Sequence, residues 1–329
     1  MSMDYVRLGR SGLKVSRLAL GAMGFGDRKW RAWVLPLDEA RPVFRRAIDA
    51  GINLVDTCDY YSAGVSERIV GALLAEAGAR DRIVLATKLG NPMGEGPNAR
   101  GFSRKHIVEA CEASLRRLGT DYIDLYQTHI WDPHSNLEEM MQAFHALVGA
   151  GKVRYVGITD MPFWQFAKAH LLAAHAGLVP FAAVQNHYNL VWREDERELV
   201  PFCRDQGIGM IPYSPLARGF VLGRARRTEP TVTVRARTDD FTYKLYGRAS
   251  DEAVTDAVAA VATRHGASPA QVALAWVLAR PGVSAPIFGP TTPAHVDEAL
   301  GALKLSLSPE DMKELQAPYL PRPASGHGI

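Results

Sequence analysis

An acid, a lysine and a histidine each stand at the end of a short β-favouring run. Asp56 closes Asn53-Leu-Val-Asp, Lys88 closes Ile83-Val-Leu-Ala-Thr-Lys, and His129 closes Ile123-Asp-Leu-Tyr-Gln-Thr-His. A tyrosine, Tyr61, follows the first of them after a brief loop. Such a set can polarise and protonate a carbonyl. A tyrosine hydroxyl has an ordinary pKa near ~10, so at neutral pH it needs help to act as an acid. A lysine ammonium favours the phenolate, and an aspartate holds that ammonium charged and in place. A histidine ring nitrogen can donate to the same carbonyl oxygen. None of the four carries a hydride, so the chemistry requires a cofactor.

Bringing these groups together demands a scaffold in which successive strand ends meet. A parallel α/β barrel does this at its C-terminal face. From Asp38 the chain repeats helix then strand, with helices at 38–50, 66–77, 103–118, 136–149, 162–176, 194–206 and about 250–265. Strands fall near 53–57, 83–88, 123–129, 153–159, 182–187 and 208–213. Arg17–Gly21 is the first barrel strand and Ser284–Gly289 the eighth. Ser268-Pro269, Thr292-Pro293 and Ser308-Pro309 open further helices, because serine and threonine cap and proline suits a first turn. The count is that of a (β/α)8 TIM barrel, a single domain over 1–329. Tyr5–Ser16, turning at Arg10-Ser-Gly12, reads as an N-terminal β-hairpin closing the barrel bottom. Long loops, 22–37 and 214–249, belong at the C-terminal face. The Pro/Gly-rich end after the last helix is expected to be mobile.

Composition narrows the function classes. The chain is 47% hydrophobic and 22% charged, with no apolar run near the ~18 residues of a membrane span. Its start lacks a basic-then-apolar signal segment, so cytoplasmic residence and no membrane partner are expected. A net charge of +3 is too small to indicate nucleic acid, and the arginines of 224–237 read as a solvated loop face. Cys58, Cys111 and Cys203 are widely spaced and form no CxxC pair, so they read as reduced thiols with no metal site. His106, His145, His170 and His175 fall on helices as surface or packing residues, and His187 lies just past a strand, where it could line the pocket. Trp131 and Trp192, with Tyr60, are candidates for an aromatic substrate wall, whereas Trp164 and Trp276 read as helix-packing residues.

Over nearly its whole length the chain resembles the aldo-keto reductase superfamily, in its bacterial and potassium-channel β-subunit-like branches. The resemblance rests on Asn53-Leu-Val-Asp-Thr-Cys-Asp-Tyr-Tyr-Ser-Ala-Gly-Val-Ser-Glu67, Ala86-Thr-Lys88, Leu125-Tyr-Gln-Thr-His-Ile-Trp-Asp-Pro133, Gly151–Thr159, Val184-Gln185 and Pro212-Tyr-Ser-Pro-Leu-Ala-Arg-Gly219. It implies an NAD(P)-dependent carbonyl reductase or alcohol dehydrogenase, with Tyr61 as general acid, Lys88 and Asp56 tuning it, and His129 orienting the carbonyl. It also implies a nicotinamide site. Tyr213 would stack on the ring, Thr159, Asp160 and Gln185 would hold the carboxamide, and Ser214, Pro215, Leu216, Arg218 and Gly219 would wrap the pyrophosphate. Gly21, Met23, Phe288, Gly289, Thr291, Thr292, His295 and Glu298 complete the set, with NADP(H) ahead of NAD(H). Thr159-Asp160 stands where the family usually has Ser-Asn, and Thr291, His295 and Ala299 stand where it offers a basic residue, a glutamine and an asparagine. The resemblance leaves open a cofactor-binding regulatory subunit with little turnover, and a monomer or homo-oligomer. A Schiff base on Lys88 would need a neutral amine, which Asp56 opposes.

Overall fold

The computed structural model describes residues 3–223, 235, 238, 239 and 241–322. Its first two strands, β1 (Tyr5–Arg7) and β2 (Lys14–Ser16), form the antiparallel hairpin. Eight parallel strands follow: β3 (Ala19–Gly21), β4 (Leu54–Asp56), β5 (Val84–Leu89), β6 (Ile123–Thr128), β7 (Val153–Thr159), β8 (Phe181–Gln185), β9 (Gly209–Met210) and β10 (Ile287–Phe288). They lie in the order β10-β3-β4-β5-β6-β7-β8-β9. Parallel bridges Met210↔Val283 and Tyr213↔Ile287 join the two ends. The N–H groups of Ser284 and Ile287 donate to the carbonyls of Met210 and Pro212, each at 2.8 Å, and close the barrel.

β9 and β10 are shorter than the runs 208–213 and 284–289 that the sequence suggests. Pro212 and Pro286 lack the N–H that a ladder needs, so regular pairing is interrupted at them and only isolated bridges flank Pro212. A proline also shortens the sixth helix. It runs over Leu199–Gln206 and is preceded by a separate turn at Glu194–Glu196. The ring of Pro201 would clash with the carbonyl four residues back, so no continuous helix spans 194–206.

The outer helices begin where their caps are. Ser103 accepts from the His106 N–H at 3.2 Å, Asn136 from those of Glu138 and Glu139 at 2.9 and 3.1 Å, and Thr292 from that of His295 at 3.3 Å. Ser268 with Gln271 and Ser308 with Asp311 form reciprocal capping boxes. Their apolar faces pack on the sheet around Phe44, Phe144, Phe166 and Trp276, all buried. Trp164, expected to pack, instead faces outward at 64% exposure. His106 and His170 are buried packing residues, and His145 and His175 are exposed.

A separate cluster fills the lower barrel: Ala19, Leu54, Val84, Ala86, Leu125, Ala183, Ile211, Ala285 and Ile287, with Leu8 and Val15 entering from the hairpin. The hairpin thus plugs the bottom, and burying Leu8 there stabilises the fold by roughly 1.5–3 kcal/mol. The chain is anchored as far as residue 322, and the rest of the Pro/Gly-rich end expected to be mobile, 323–329, lies outside the described residues. Buried Arg322 donates to the carbonyls of Val191 and Leu245 and pairs with Asp251 at 2.6 Å. The arginine-rich stretch 224–237 lies outside the described residues apart from Arg235. Among the described residues, no helix is long and apolar enough to cross a membrane.

Candidate active site

Two residues beyond the apolar filling, the inward positions of the same strands turn polar. Leu54 gives way to Asp56, Ala86 to Lys88, Leu125 to Gln127 and Ala183 to Gln185, because alternate residues of a strand share a face. Lys88 Nζ, fully buried, donates to Asp56 Oδ1 at 2.6 Å, to the Thr57 carbonyl at 2.8 Å and to Tyr61 Oη at 3.4 Å. The Gln127 and Gln185 amides donate to the other carboxylate oxygen, Asp56 Oδ2, at 3.2 and 3.0 Å. Gln127 is a member the sequence reading missed, although its place in phase with Lys88 marks it. Gly157 makes room for it: a Cβ there would lie 2.9 Å from Gln127 Cγ.

Burial alone would strip Lys88 of its proton. The charge of Asp56, and then the hydroxyl of Tyr61, outweigh it and hold the ammonium above its ordinary pKa. That removes the neutral amine a Schiff base needs. Tyr61 departs from expectation. Burial raises its pKa first, and Lys88 pulls it down without reversing the rise. The hydroxyl is therefore firmly protonated, and the lysine limits the upward shift.

Tyr61 is delivered by a strained turn. Ser62 and Ala63 sit at φ 51° and 50°, and Gly64 at φ 87°, before the helix Val65–Glu76 begins. Non-glycine residues persist there only when neighbours dictate the conformation. Ser62 Oγ accepts from the Asp27 N–H at 3.1 Å, and a Cβ on Gly64 would meet the Arg117 side chain at 2.6 Å. The helix is tied down in turn by buried Glu67, which accepts from Thr87 Oγ1 at 2.6 Å and pairs with Arg117 at 2.5 Å.

His129 stands edge-on to the Tyr61 ring, with centroids 5.5 Å apart. Its Nδ1 meets Asn91 Nδ2 at 2.7 Å and Cys58 Sγ at 2.9 Å, two neighbours that the sequence reading did not single out. Burial, then the charge of Lys88, lowers its pKa to about 3. The residue is only half-buried, which softens the burial penalty but leaves the imidazole neutral. From the 22–37 loop, Trp30 reaches both Tyr60 and Tyr61, with centroids 6.4 and 6.3 Å away. Tyr60 is 39% exposed, and Trp131 stacks on Phe102.

On the opposite side of the mouth three rings stack in sequence. Tyr213 lies on His187 at 5.2 Å and 9°, and His187 on Trp192 at 4.7 Å. Trp192 carries the Arg322 guanidinium on its ring at 4.9 Å, so it backs His187, and His187 is buried within the stack. Tyr213 Oη donates to the Asp160 carboxylate at 3.0 Å. Asp160 keeps solvent contact, yet the protein crowding it raises its carboxyl, against which the Tyr213 hydroxyl works. Thr159 Oγ1 and Asn186 Oδ1 are buried without a partner among the described residues. Ser214, Ala217, Arg218 and Gly219 take φ values of 52°, 48°, 56° and 92°, a left-handed curl of the kind that can present backbone N–H groups to an anion, although those of Ala217 and Gly219 donate to the Ser214 and Leu216 carbonyls. The Arg218 side chain is engaged by Asp239, to which its Nε donates at 3.1 Å. Gly21 ends β3, where a Cβ would meet Ile287 Cγ2 at 2.8 Å. Thr291 and His295 contact each other at 3.2 Å beside the N-terminus of the helix Pro293–Ala302. Orphaned Thr159 Oγ1 and the left-handed curl suit an amide and a pyrophosphate respectively, so these residues fit a nicotinamide dinucleotide.

Comparison with known proteins agrees with this geometry. The model of the aldo/keto reductase family matches residues 17–319. Versiconal hemiacetal acetate reductase of Aspergillus parasiticus is 40% identical, with 97% of this chain and 98% of that protein covered. A Schizosaccharomyces pombe protein provisionally named an aryl-alcohol dehydrogenase is 39% identical, over 98% and 97% of the two chains. An aldo-keto reductase of Fusarium vanettenii is 37% identical, over 98% and 93%. With a closed parallel barrel whose strand ends carry a buried Lys–Asp pair against a tyrosine and a histidine, the chain is an oxidoreductase of the aldo/keto reductase family.

Proposed function

We propose that this chain, acting as one domain in the cytoplasm, reduces aldehydes or ketones to alcohols with NADPH, or runs the reverse oxidation. The observation that carries the reading is the buried Lys88 ammonium, 2.6 Å from Asp56 and 3.4 Å from Tyr61, with His129 edge-on beside the phenol. Tyr61 gives its proton to the carbonyl oxygen as negative charge develops there. Lys88 then stabilises the phenolate left behind, and Asp56 keeps the lysine charged. His129, neutral, orients the same oxygen. When bound, the reduced nicotinamide supplies the hydride.

Thr159, Asp160 and Gln185 are the residues we assign to the carboxamide, and Tyr213, backed by His187, to one face of the ring. Ser214, Pro215, Leu216, Arg218 and Gly219 take the pyrophosphate, largely through backbone. Thr291, Thr292 and His295, at a helix N-terminus, take the 2′-phosphate that favours NADPH. Gly21, Met23, Phe288, Gly289 and Glu298 border the remainder. Trp30, Tyr60 and Trp131 form an aromatic rim suited to aromatic or partly apolar carbonyls, in keeping with the aryl-alcohol name of one relative. Trp192, held between His187 and Arg322, supports the ring stack from behind.

The purified protein is mixed with NADPH or NADH and a panel of aromatic and short aliphatic aldehydes, following loss of nicotinamide absorbance. Turnover is expected with NADPH, faster on the aromatic members. Equal or better use of NADH would overturn the 2′-phosphate assignment, and no turnover on any carbonyl, or on the matching alcohols with oxidised cofactor, would overturn the function.

A further inference from the structure

We propose that Asn91 and Cys58 are positioning residues that lock His129 in the tautomer protonated on Nε2, so that the ring meets the substrate oxygen as a donor. The role of that donor rests on the function proposed above, whereas the tautomer is a property of the protein alone.

A neutral imidazole has one donor and one acceptor nitrogen, and the partner of one decides the state of the other. Both neighbours of Nδ1 are built to donate. The Asn91 amide nitrogen, 2.7 Å away, has no lone pair to offer. Cys58 Sγ, 2.9 Å away, accepts the Tyr60 N–H at 3.3 Å, which leaves its own proton to give. Three acceptors surround that proton: His129 Nδ1, Asp59 Oδ1 at 3.3 Å and the Lys88 carbonyl at 3.7 Å. Nδ1 is the nearest. Burial, with the neighbouring Asp59, pushes the thiol pKa well up, so the proton stays on sulfur. Among the described residues Nε2 has no hydrogen-bond partner, and it is not one of the sealed, unsatisfied polar atoms. Its proton therefore points into open cleft.

The two positioning side chains come from different loops, Cys58 two residues past β4 and Asn91 two residues past β5. Their convergence on a single nitrogen is thus a product of the fold. The opposite orientation of the Asn91 amide would place its carbonyl at Nδ1 and demand the other tautomer, which makes the assignment testable.

The test is Asn91→Asp, nearly isosteric, in which a carboxylate can only accept and so draws the proton onto Nδ1. Above about pH 8, where an imidazole is neutral, this leaves a lone pair facing the substrate. Histidine 15N spectra of the cofactor-free protein, with His129 assigned by its loss in His129→Gln, should show Nδ1 unprotonated in the unaltered chain and protonated in Asn91→Asp. At that pH kcat/KM for an aldehyde should fall by about 10²-fold, the usual cost of losing one oxyanion donor, with cofactor affinity unchanged. Asn91→Ala, which retains only the thiol donor, should lower kcat/KM by less than Asn91→Asp does, because no acceptor then competes for the Nδ1 position. A proton on Nδ1 in the unaltered chain, or an Asn91→Asp protein with undiminished kcat/KM, would overturn the proposal. If the unaltered chain turned over no carbonyl, the function would fail while the spectra still decided the tautomer.

Discussion

The lower and upper layers of the barrel interior sit two residues apart on the same strands and are built on opposite chemistry. Below, Leu54, Ala86, Leu125 and Ala183 fill the space with hydrocarbon and need nothing from one another but contact. Above, Asp56, Lys88, Gln127 and Gln185 occupy the corresponding positions, and there the polar atoms depend on their neighbours, apart from Gln127 Oε1, which has no partner among the described residues. Asp56 alone takes three side-chain donors across its two oxygens. The backbone treats the layers alike, so the difference is one of side chain. The lower layer supplies stability through area removed from water. The upper layer holds a buried charge pair, which at best breaks even against hydrophobic packing. A charged layer retained at such a cost fits a chemical task for it.

The largest effect that would sharpen this contrast comes from Lys88→Met. It strands the Asp56 charge with only two amide donors and should cost about 3–5 kcal/mol in denaturant unfolding, with turnover down by about 10² or more. Replacing both partners, Lys88→Met with Asp56→Leu, should recover most of the stability and none of the turnover. A single variant as stable as the parent would show that the upper layer is not coupled as described. Leu125→Ala, one layer down, should cost about 2–5 kcal/mol yet leave kcat of the folded protein within about 2-fold. A large kcat loss there would erase the distinction between layers. Gly157→Ala is milder. Its Cβ would press on Gln127 at 2.9 Å and on Leu125 at 3.2 Å, at the seam between layers, for about 1–3 kcal/mol.

At any single step of pH the change is smaller still. Burial depresses the folded-state pKa of His187 to about 3, below its unfolded value. The unfolded chain therefore binds more protons between the two values. The stability His187 contributes is fully present above about pH 6.5 and is lost as pH falls toward 3, with a slope of at most about 1.4 kcal/mol per unit. His187→Phe should flatten that slope, and an unchanged slope would mean the ring is not held neutral. His129 shares the direction, so kcat/KM should show no inflection near pH 6.5 from its titration.

Much of this was legible in the sequence because it depends on local period. The strands, the capped helices and the hairpin follow from alternation, Ser-Pro starts and Gly turns. Asp56, Lys88 and His129 stand out because they interrupt or close apolar runs. What could not be read depends on contacts between segments far apart in the chain. Asn91 and Cys58 meet on His129 from separate loops, and Arg322 crosses to Val191, Leu245 and Asp251. The net upward shift of Tyr61 is of the same kind. A lysine neighbour can be inferred from spacing, but the burial that outweighs it appears only once the barrel is closed.

In the proposed function the upper layer exists to make Tyr61 a proton donor. The most direct measurement is single-turnover reduction of an aromatic aldehyde by NADPH-loaded protein, comparing the parent with Tyr61→Phe. The account predicts that the variant binds NADPH as tightly and unfolds at the same denaturant concentration, but transfers hydride slower by about 10²–10⁴-fold. A Tyr61→Phe protein that reduces the aldehyde at the parent rate would contradict it.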